Sequence, residues 1–354
     1  MNSLLASFNY ILYVYQYQCS RVREVEKKLY KRYTIDMNYN LVYISDDNYI
    51  IPTKASVNSI KKSCFDVNID IYIIAVEVSE KKQKELLALS TNNIKIQLIN
   101  VKNEFKDLGQ EHKYISKADL FKFKLPYLFE NFDKILYVDG DMIMNREFLK
   151  IFDYDIHNVY GAFVMDMFVM EVGRWHEKLG HEKYFNGGMM YLNLAKMRED
   201  NISEKLIEYK KNDTCTAFMD QNALNAIMGS KALYIHPKYN FLESYIISKR
   251  TFGREYSIKE FADFYGISEN EMKETFCHPA ILHLAGRKKA WKSAQALNYD
   301  TWIKYVDSAD YFEVTCAYIK SLNDDLNELR SDLKKLKNRS LWGFLTNIYH
   351  LIKK

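Results

Sequence analysis

Between Asn40 and Val138 short β-branched runs alternate with helical stretches, and this alternation restricts the fold more than any other feature of the chain. Leu41-Val42-Tyr43-Ile44 reads as a strand leading into Ser45-Asp46-Asp47-Asn48, after which Pro52 opens a helix at a position where a missing N–H costs nothing. Ile69 to Val76 is a second β-rich run, Lys81 to Leu89 a helix, and Ile94 to Ile99 a third strand. Ser116-x-x-Asp119 has the form of a capping box for a helix running toward Tyr127. Strands and helices in this order predict an α/β fold with a mostly parallel sheet and helices on both faces, an architecture that serves many unrelated functions.

The next strand candidate, Lys134-Ile135-Leu136-Tyr137-Val138, stops abruptly at Asp139-Gly140-Asp141. Open α/β sheets bind ligands in the crevice outside the carboxyl ends of their strands, so both carboxylates are expected at the mouth of a pocket. Hard oxygen donors one residue apart suit Mg²⁺ or Mn²⁺, commonly held by one or two carboxylates with substrate phosphates completing the shell. The plainer alternative is a polar strand exit in which Asp139 caps the following turn.

The second half places more polar groups at element ends. Val159 to Met165 reads as a strand ending at Asp166. Asn186-Gly187-Gly188 precedes the apolar run Met189 to Leu192, and Asp220-Gln221-Asn222 opens a helix over Ala223 to Ile227. Asp220 could serve only as a cap, and the paired glycines only as a turn, although glycines also let a backbone approach a ligand closely. After the run Ile281-Leu282, His283 is followed by Gly286 and Lys289, which reads as a loop delivering a metal ligand and a phosphate-binding cation together. An imidazole beside two carboxylates shifts the preference from Mg²⁺ toward Mn²⁺.

Taken in order, these motifs resemble the retaining glycosyltransferases of family 8, the group containing glycogenin and the bacterial lipopolysaccharide galactosyl- and glucosyltransferases. The resemblance runs from about Asn40 to Trp291. It implies a single nucleotide-sugar-binding, Rossmann-like domain of the glycosyltransferase A type, built on a mixed, mostly parallel sheet. It implies that Asp46, Asn48 and Tyr49 contact the uridine, that Asp139 and Asp141 bind the metal with His283 as third ligand, and that Gly140 belongs to the same motif. It further implies that Asp166, Asn186, Gly187, Asp220 and Gln221 serve the donor sugar and acceptor, with Gln221 near the anomeric carbon. Gly286 and Lys289 are implied to lie on the closing loop, where Lys289 holds the diphosphate. Where the family commonly has an Arg ahead of the D-x-D strand, this chain has Lys122, which keeps the charge without the bidentate fork.

The implied reaction moves a hexose, glucose or galactose, from UDP-glucose or UDP-galactose to a hydroxyl of a glycan acceptor with retained anomeric configuration, in lipopolysaccharide or other surface-glycan synthesis. The implied cofactor is Mn²⁺ or Mg²⁺. Two alternatives come from other classes. A catalytically silent UDP-sugar- or glycan-binding relative would be expected to have lost one of Asp139, Asp141, His283 or Lys289, and all four are present. A phosphatase of the haloacid-dehalogenase type carries its D-x-D at the first strand with a following Thr, whereas this pair lies mid-chain before Met142-Ile143.

A net charge of +4 from 50 basic and 46 acidic residues is too balanced for a general nucleic-acid binder. Five cysteines without a C-x-x-C predict a reducing compartment and neither zinc nor a disulfide framework. The apolar stretch from Leu4 to Tyr15 is too short to span a membrane and follows no basic residue, so it predicts an amphipathic helix reaching about Arg32. Ile319, Leu322, Leu326, Leu329, Leu333 and Leu336 alternate three and four residues apart, the spacing of a coiled-coil seam, which a homodimer or docking on the body would satisfy. Beyond it, Leu341, Phe344, Leu345, Ile348, Leu351 and Ile352 share a helical face among Lys334, Lys335, Lys337, Arg339, Lys353 and Lys354, a basic amphipathic end suited to an anionic membrane surface, where a lipid-linked glycan acceptor would reside. The expected organisation is an N-terminal helical extension (1–39), a catalytic domain (40–310) and a helical basic tail (311–354), in the cytoplasm and peripheral to the inner face of its membrane. Ser244 to Cys277 carries no clear motif and is expected to help form the acceptor side.

Overall fold

The computed structural model describes residues 39–105, 117–212 and 220–352 apart from Arg287 and Ala294, with side chains described through Lys335. The expected N-terminal helix and Ser116 lie outside the described residues. Strands are β1 (Tyr39–Ser45), β2 (Ile69–Val76), β3 (Ile94–Val101), β4 (Lys134–Val138), β5 (Met142–Met144), β6 (Gly161–Met165), β7 (Phe185–Asn193), β8 (Ala232–Tyr234), β9 (Phe241–Leu242) and β10 (Ile281–His283). The longer helices are α1 (Ile50–Ser63), α2 (Glu80–Leu87), α3 (Leu194–Glu199), α4 (Ile202–Asn212), α5 (Gln221–Met228), α6 (Ser248–Phe252), α7 (Ile258–Tyr265), α8 (Glu269–Cys277) and α9 (Tyr311–Ile352). None of the described helices is long and apolar enough to cross a membrane.

The main sheet has the order β3-β2-β1-β4-β7-β6-β8. β1 runs parallel to β2 and β4, while β7 is antiparallel to both of its neighbours, β4 and β6. Because side chains alternate across a strand, successive residues feed two apolar layers. Leu41, Tyr43, Leu136 and Val138 enter one, and Val42, Ile44, Ile135 and Tyr137 the other. A sheet covered on both faces leaves polar side chains at its strand ends, where the site forms.

The antiparallel β7 has a geometric consequence. It begins where β4 and β6 end, so Asn186-Gly187-Gly188 meets the carboxyl end of β4, and the Asp139 N–H donates to the Gly188 carbonyl at 2.8 Å. β6, parallel to β4, delivers Asp166 to the same edge, with Met165 opposite Phe185. A second, three-stranded sheet of order β5-β10-β9 follows directly from the D-x-D turn.

Several boundaries differ from expectation for local reasons. Residues 117–124 wind as a 3₁₀ helix, followed by a short α-helix over Leu125–Leu128 around Pro126, and not as one α-helix toward Tyr127. Pro126 has no N–H to extend an α-helical ladder from the preceding turn. The first helix begins at Ile50, two residues ahead of Pro52. β6 begins at Gly161, and just ahead of it the Tyr160 N–H donates to the Lys231 carbonyl. The segment without an evident motif forms α6, α7 and α8, the last two opened by complete capping boxes, Ser257 with Glu260 and Ser268 with Glu271.

The chain divides into two compact units, residues 1–285 and 286–354. In the second, Tyr318 on α9 donates to the Ala290 carbonyl at 2.6 Å and Trp291 lies near Trp302.

Candidate functional site

Asp139 and Asp141 leave β4 on either side of Gly140, and β5 then pairs antiparallel with β10, His283 opposite Met142. The Leu284 N–H donates to the Asp141 carbonyl at 2.9 Å, fixing that register. One ligating atom from each of Asp139, Asp141 and His283 lies within 4.8 Å of the others. His283 Nε2 stands 3.4 Å from Asp141 Oδ1 and 3.8 Å from Asp139 Oδ2. Asp141 and His283 are buried.

The imidazole tautomer follows from an unambiguous backbone donor. Gly188 N–H donates to Asn186 Oδ1 at 3.0 Å, so that atom is oxygen and the Asn186 amide nitrogen donates to Asp166 Oδ2, also at 3.0 Å. Asn240 Nδ2 donates to the same Asn186 oxygen at 2.9 Å, leaving Asn240 Oδ1 to face His283 Nδ1 at 2.9 Å. That oxygen can only accept, so Nδ1 carries a proton, and Nε2 is the ring nitrogen that faces the two carboxylates. A carbonyl-oriented imidazole of this kind is the usual support for a metal-binding histidine.

The donor set therefore fits a divalent cation: two carboxylates, one imidazole in the correct tautomer, and space. Gly188 keeps that space open, since a Cβ there would stand 2.5 Å from His283 Cε1 and 2.8 Å from Asp139 Oδ2.

Lys122 is the fixed positive charge of the site. Buried on the 3₁₀ turn, its ammonium donates to Asp220 Oδ2 at 2.8 Å and lies 3.3 Å from Asp139 Oδ1. Burial alone would lower its pKa, but Asp139, Asp220 and Asp119 more than offset this and hold it charged. Asp139 also accepts from Tyr137 Oη at 2.6 Å, two residues back on the same strand face. Burial raises the Asp139 carboxyl, while Lys122 and His283 pull it down. Asp220 precedes α5 without a side-chain capping bond, so its carboxylate serves Lys122 and not its own helix.

Next to this cluster, Asp166, Asn186 and Gln221 form a second network. Gln221 donates to Asp166 Oδ2 at 3.2 Å and accepts from the Gly187 N–H at 3.0 Å. The backbone around Asp166 is clamped by three tyrosines: Tyr265 Oη donates to the Met165 carbonyl, Tyr245 Oη accepts from the Met167 N–H, and the Tyr184 carbonyl accepts from the Asp166 N–H. Burial raises the Asp166 carboxyl against these hydrogen bonds.

At the end of β1, Asp46 Oδ1 accepts from the Asn48 N–H at 2.9 Å, tightening the turn into α1. Burial, then the nearby Asp141, Asp119 and Asp139, raise the Tyr49 phenol, which stays protonated. Gly140 packs against Thr53 of α1. Gly286 and Lys289 belong to the second unit, where the Lys289 ammonium lies 5.4 Å over the Trp291 ring. Within the first unit the structure thus brings Lys122, Asp139, Asp141, His283, Asp166, Asn186, Gly187, Asp220 and Gln221 together.

Sequence reading missed Asn240, Tyr137, Tyr245 and Tyr265. Tyr137 could have been found from its position two residues before Asp139, but Asn240 stands 43 residues from the histidine it orients, with no local signal.

The topology and this strand-end site define a glycosyltransferase A type fold. The structure of the galactosyltransferase LgtC, solved with donor and acceptor sugar analogs, superposes with a TM-score of 0.64 at 21% identity, covering 77% of this chain and 99% of that one. The family model for glycosyl transferase family 8 matches residues 40–295, and the chain belongs to that family. A Haemophilus influenzae protein described as a glycosyltransferase is 28% identical over 208 residues, 57% of this chain. The Escherichia coli K12 lipopolysaccharide 1,2-glucosyltransferase is 25% identical over 207 residues, also 57% of this chain. The matches span 63% and 61% of those two relatives' lengths.

Proposed function

We propose that this family 8 glycosyltransferase is a retaining, divalent-metal-dependent hexosyltransferase that moves glucose or galactose from a UDP-sugar to a hydroxyl of a glycan acceptor in bacterial surface-glycan synthesis. The observation that carries the reading is the continuous hydrogen-bonded path from His283 through Asn240 and Asn186 to Asp166 and Gln221. It couples a cation-holding cluster to a set of polar groups suited to sugar hydroxyls.

Asp139, Asp141 and His283 would hold the ion, Mn²⁺ being favoured over Mg²⁺ by the imidazole donor. When bound, it would act as a Lewis acid on the diphosphate leaving group. Asp46, Asn48, Tyr49 and Gly140 then bind the uridine and ribose side, and Lys289 neutralises the diphosphate. Lys122 sits between Asp139 and Asp220 and holds the Asp220 carboxylate in place for donor hydroxyls. Asp166 and Asn186 orient the sugar, and Gln221, fixed between Asp166 and the Gly187 N–H, stabilises charge developing near the anomeric carbon. The catalytic domain in this reading spans residues 40–310, with α9 beyond it.

The basic end of α9 suits the cytoplasmic face of an anionic membrane, where a lipid-linked acceptor would reside. Each Lys or Arg near such a surface contributes about 1 kcal/mol. Truncation after Lys337 is expected to reduce sedimentation with anionic vesicles and to leave UDP-sugar hydrolysis intact; equal vesicle binding would remove this part of the reading.

Incubation with UDP-glucose and UDP-galactose in Mn²⁺ tests the reaction itself. UDP release is expected from one of them, abolished by Asp141→Ala. Unchanged Mn²⁺-dependent turnover in that variant would overturn the proposal.

A further inference from the structure

The helix α9 carries two faces. Its docked face is Val314 and Tyr318, both buried, continued by Asp325, whose carboxylate lies 3.4 Å from Lys288 of the same unit. The other face is apolar and exposed: Phe312 (81%), Ile319 (55%), Leu322 (46%), Leu326 (50%), Leu329 (60%) and Leu333 (65%). At 3.6 residues per turn the two faces are about a quarter turn apart, so the apolar one is not the face by which the helix docks. Phe312, Ile319, Leu326 and Leu333 recur every seven residues, with Leu322 and Leu329 between them, the a and d positions of three heptads.

The charges beside this seam select its occupant. With those a and d positions, Asp325 and Asp332 fall at g, and Arg330 and Lys337 at e. In a parallel pair each g residue meets the e residue of the following heptad on the partner helix, giving Asp332 with Lys337 and placing Arg330 beside Asp325, whose carboxylate is shared with Lys288. An antiparallel pair would bring g to g and e to e, acid against acid and base against base. A membrane surface would accept the apolar residues but not the acids that flank them.

We infer that the exposed seam of α9 is a dimerisation surface for a second copy of this chain, paired as a parallel two-stranded coiled coil. Ile319 at a with Leu322 at d is the combination that favours two strands, and the opposed g–e charges fix orientation and register. The pairing goes beyond the catalytic reading and does not depend on it.

Sedimentation equilibrium of the full chain tests it. The wild type is expected at twice the 42.0 kDa chain mass. Leu326→Glu/Leu329→Glu, both at exposed positions, is expected to be monomeric with its far-UV spectrum and UDP release unchanged. Asp332→Lys should weaken the dimer by about fivefold, two opposite-charge contacts becoming repulsive, and Asp332→Lys/Lys337→Asp should restore it. A wild-type monomer, including one whose seam is covered by its own N-terminal segment, would overturn the inference. So would a dimer unaffected by the double glutamate variant, a dimer strengthened by Asp332→Lys, or monomeric protein that binds anionic vesicles through the seam.

Discussion

Lys122 and Asp220 are 98 residues apart in the chain and 2.8 Å apart in space, the ammonium donating to Oδ2. The same ammonium faces Asp139 at 3.3 Å, so one buried cation faces an acid from the Asp139–Asp141–His283 cluster and an acid from the start of α5. Lys122→Met is expected to leave the buried Asp220 and the part-buried Asp139 without their shared ammonium and to cost about 3 kcal/mol. Urea unfolding measures the loss. Adding Asp220→Asn should recover part of it, and strictly additive losses would show that the pair is not coupled.

The imidazole of His283 depends on Asn240 for its tautomer. Asn240→Ala should weaken Mn²⁺ binding by about 10–100-fold, the range for an outer partner of a metal ligand, with little change in the fold. Titration by electron paramagnetic resonance reads the affinity directly, and wild-type affinity in the variant would remove Asn240 from the centre.

Gly188 has no room for a methyl group. Gly188→Ala is expected to push a carbon into the space between His283 and Asp139, giving a folded protein that no longer takes up Mn²⁺. Calorimetry should show no binding heat while circular dichroism stays native; undiminished binding would place the ion elsewhere.

Tyr245 holds the Met167 N–H beside Asp166. Tyr245→Phe strands that buried donor at about 1–3 kcal/mol. If Asp166 positions the sugar, kcat should fall more than the KM for UDP-sugar rises. An unchanged kcat with only a lower unfolding midpoint would make the tyrosine purely structural.

Lys289 is proposed to act on the diphosphate. Lys289→Ala should lower kcat/KM by roughly 10²-fold, the scale for removing one preorganised charge-stabilising group. A defect confined to the acceptor KM would contradict that role.

The strand–helix alternation and the abrupt end of β4 made the α/β architecture and the acid pair legible, because both follow from local apolar periodicity. β2 runs from Ile69 to Val76 as the pattern required. Lys122 and Asp220 were visible as residues, but their bond was not, since only the tertiary fold brings a 3₁₀ turn against the start of α5. Pairing between distant strands has no local signal, which is why Asn240 was missed. The capping boxes of α7 and α8 were a different case: Ser257-x-x-Glu260 and Ser268-x-x-Glu271 stand in the sequence and mark two helix starts in the stretch read as motif-free.

The register of β10 on β5 has a consequence for biosynthesis. His283 follows Asp139 by 144 residues (283 − 139), and at about 5–20 residues per second a ribosome needs roughly 7–30 s to supply it. Lys122, 17 residues ahead of Asp139 (139 − 122), is already in the nascent chain to balance the acids during that interval. A chain stalled before Ile281 has both carboxylates and no imidazole to join them. The cluster is therefore completed by one of the last described strands to emerge, and if it holds the cation as proposed, binding competence would report that translation has passed β10.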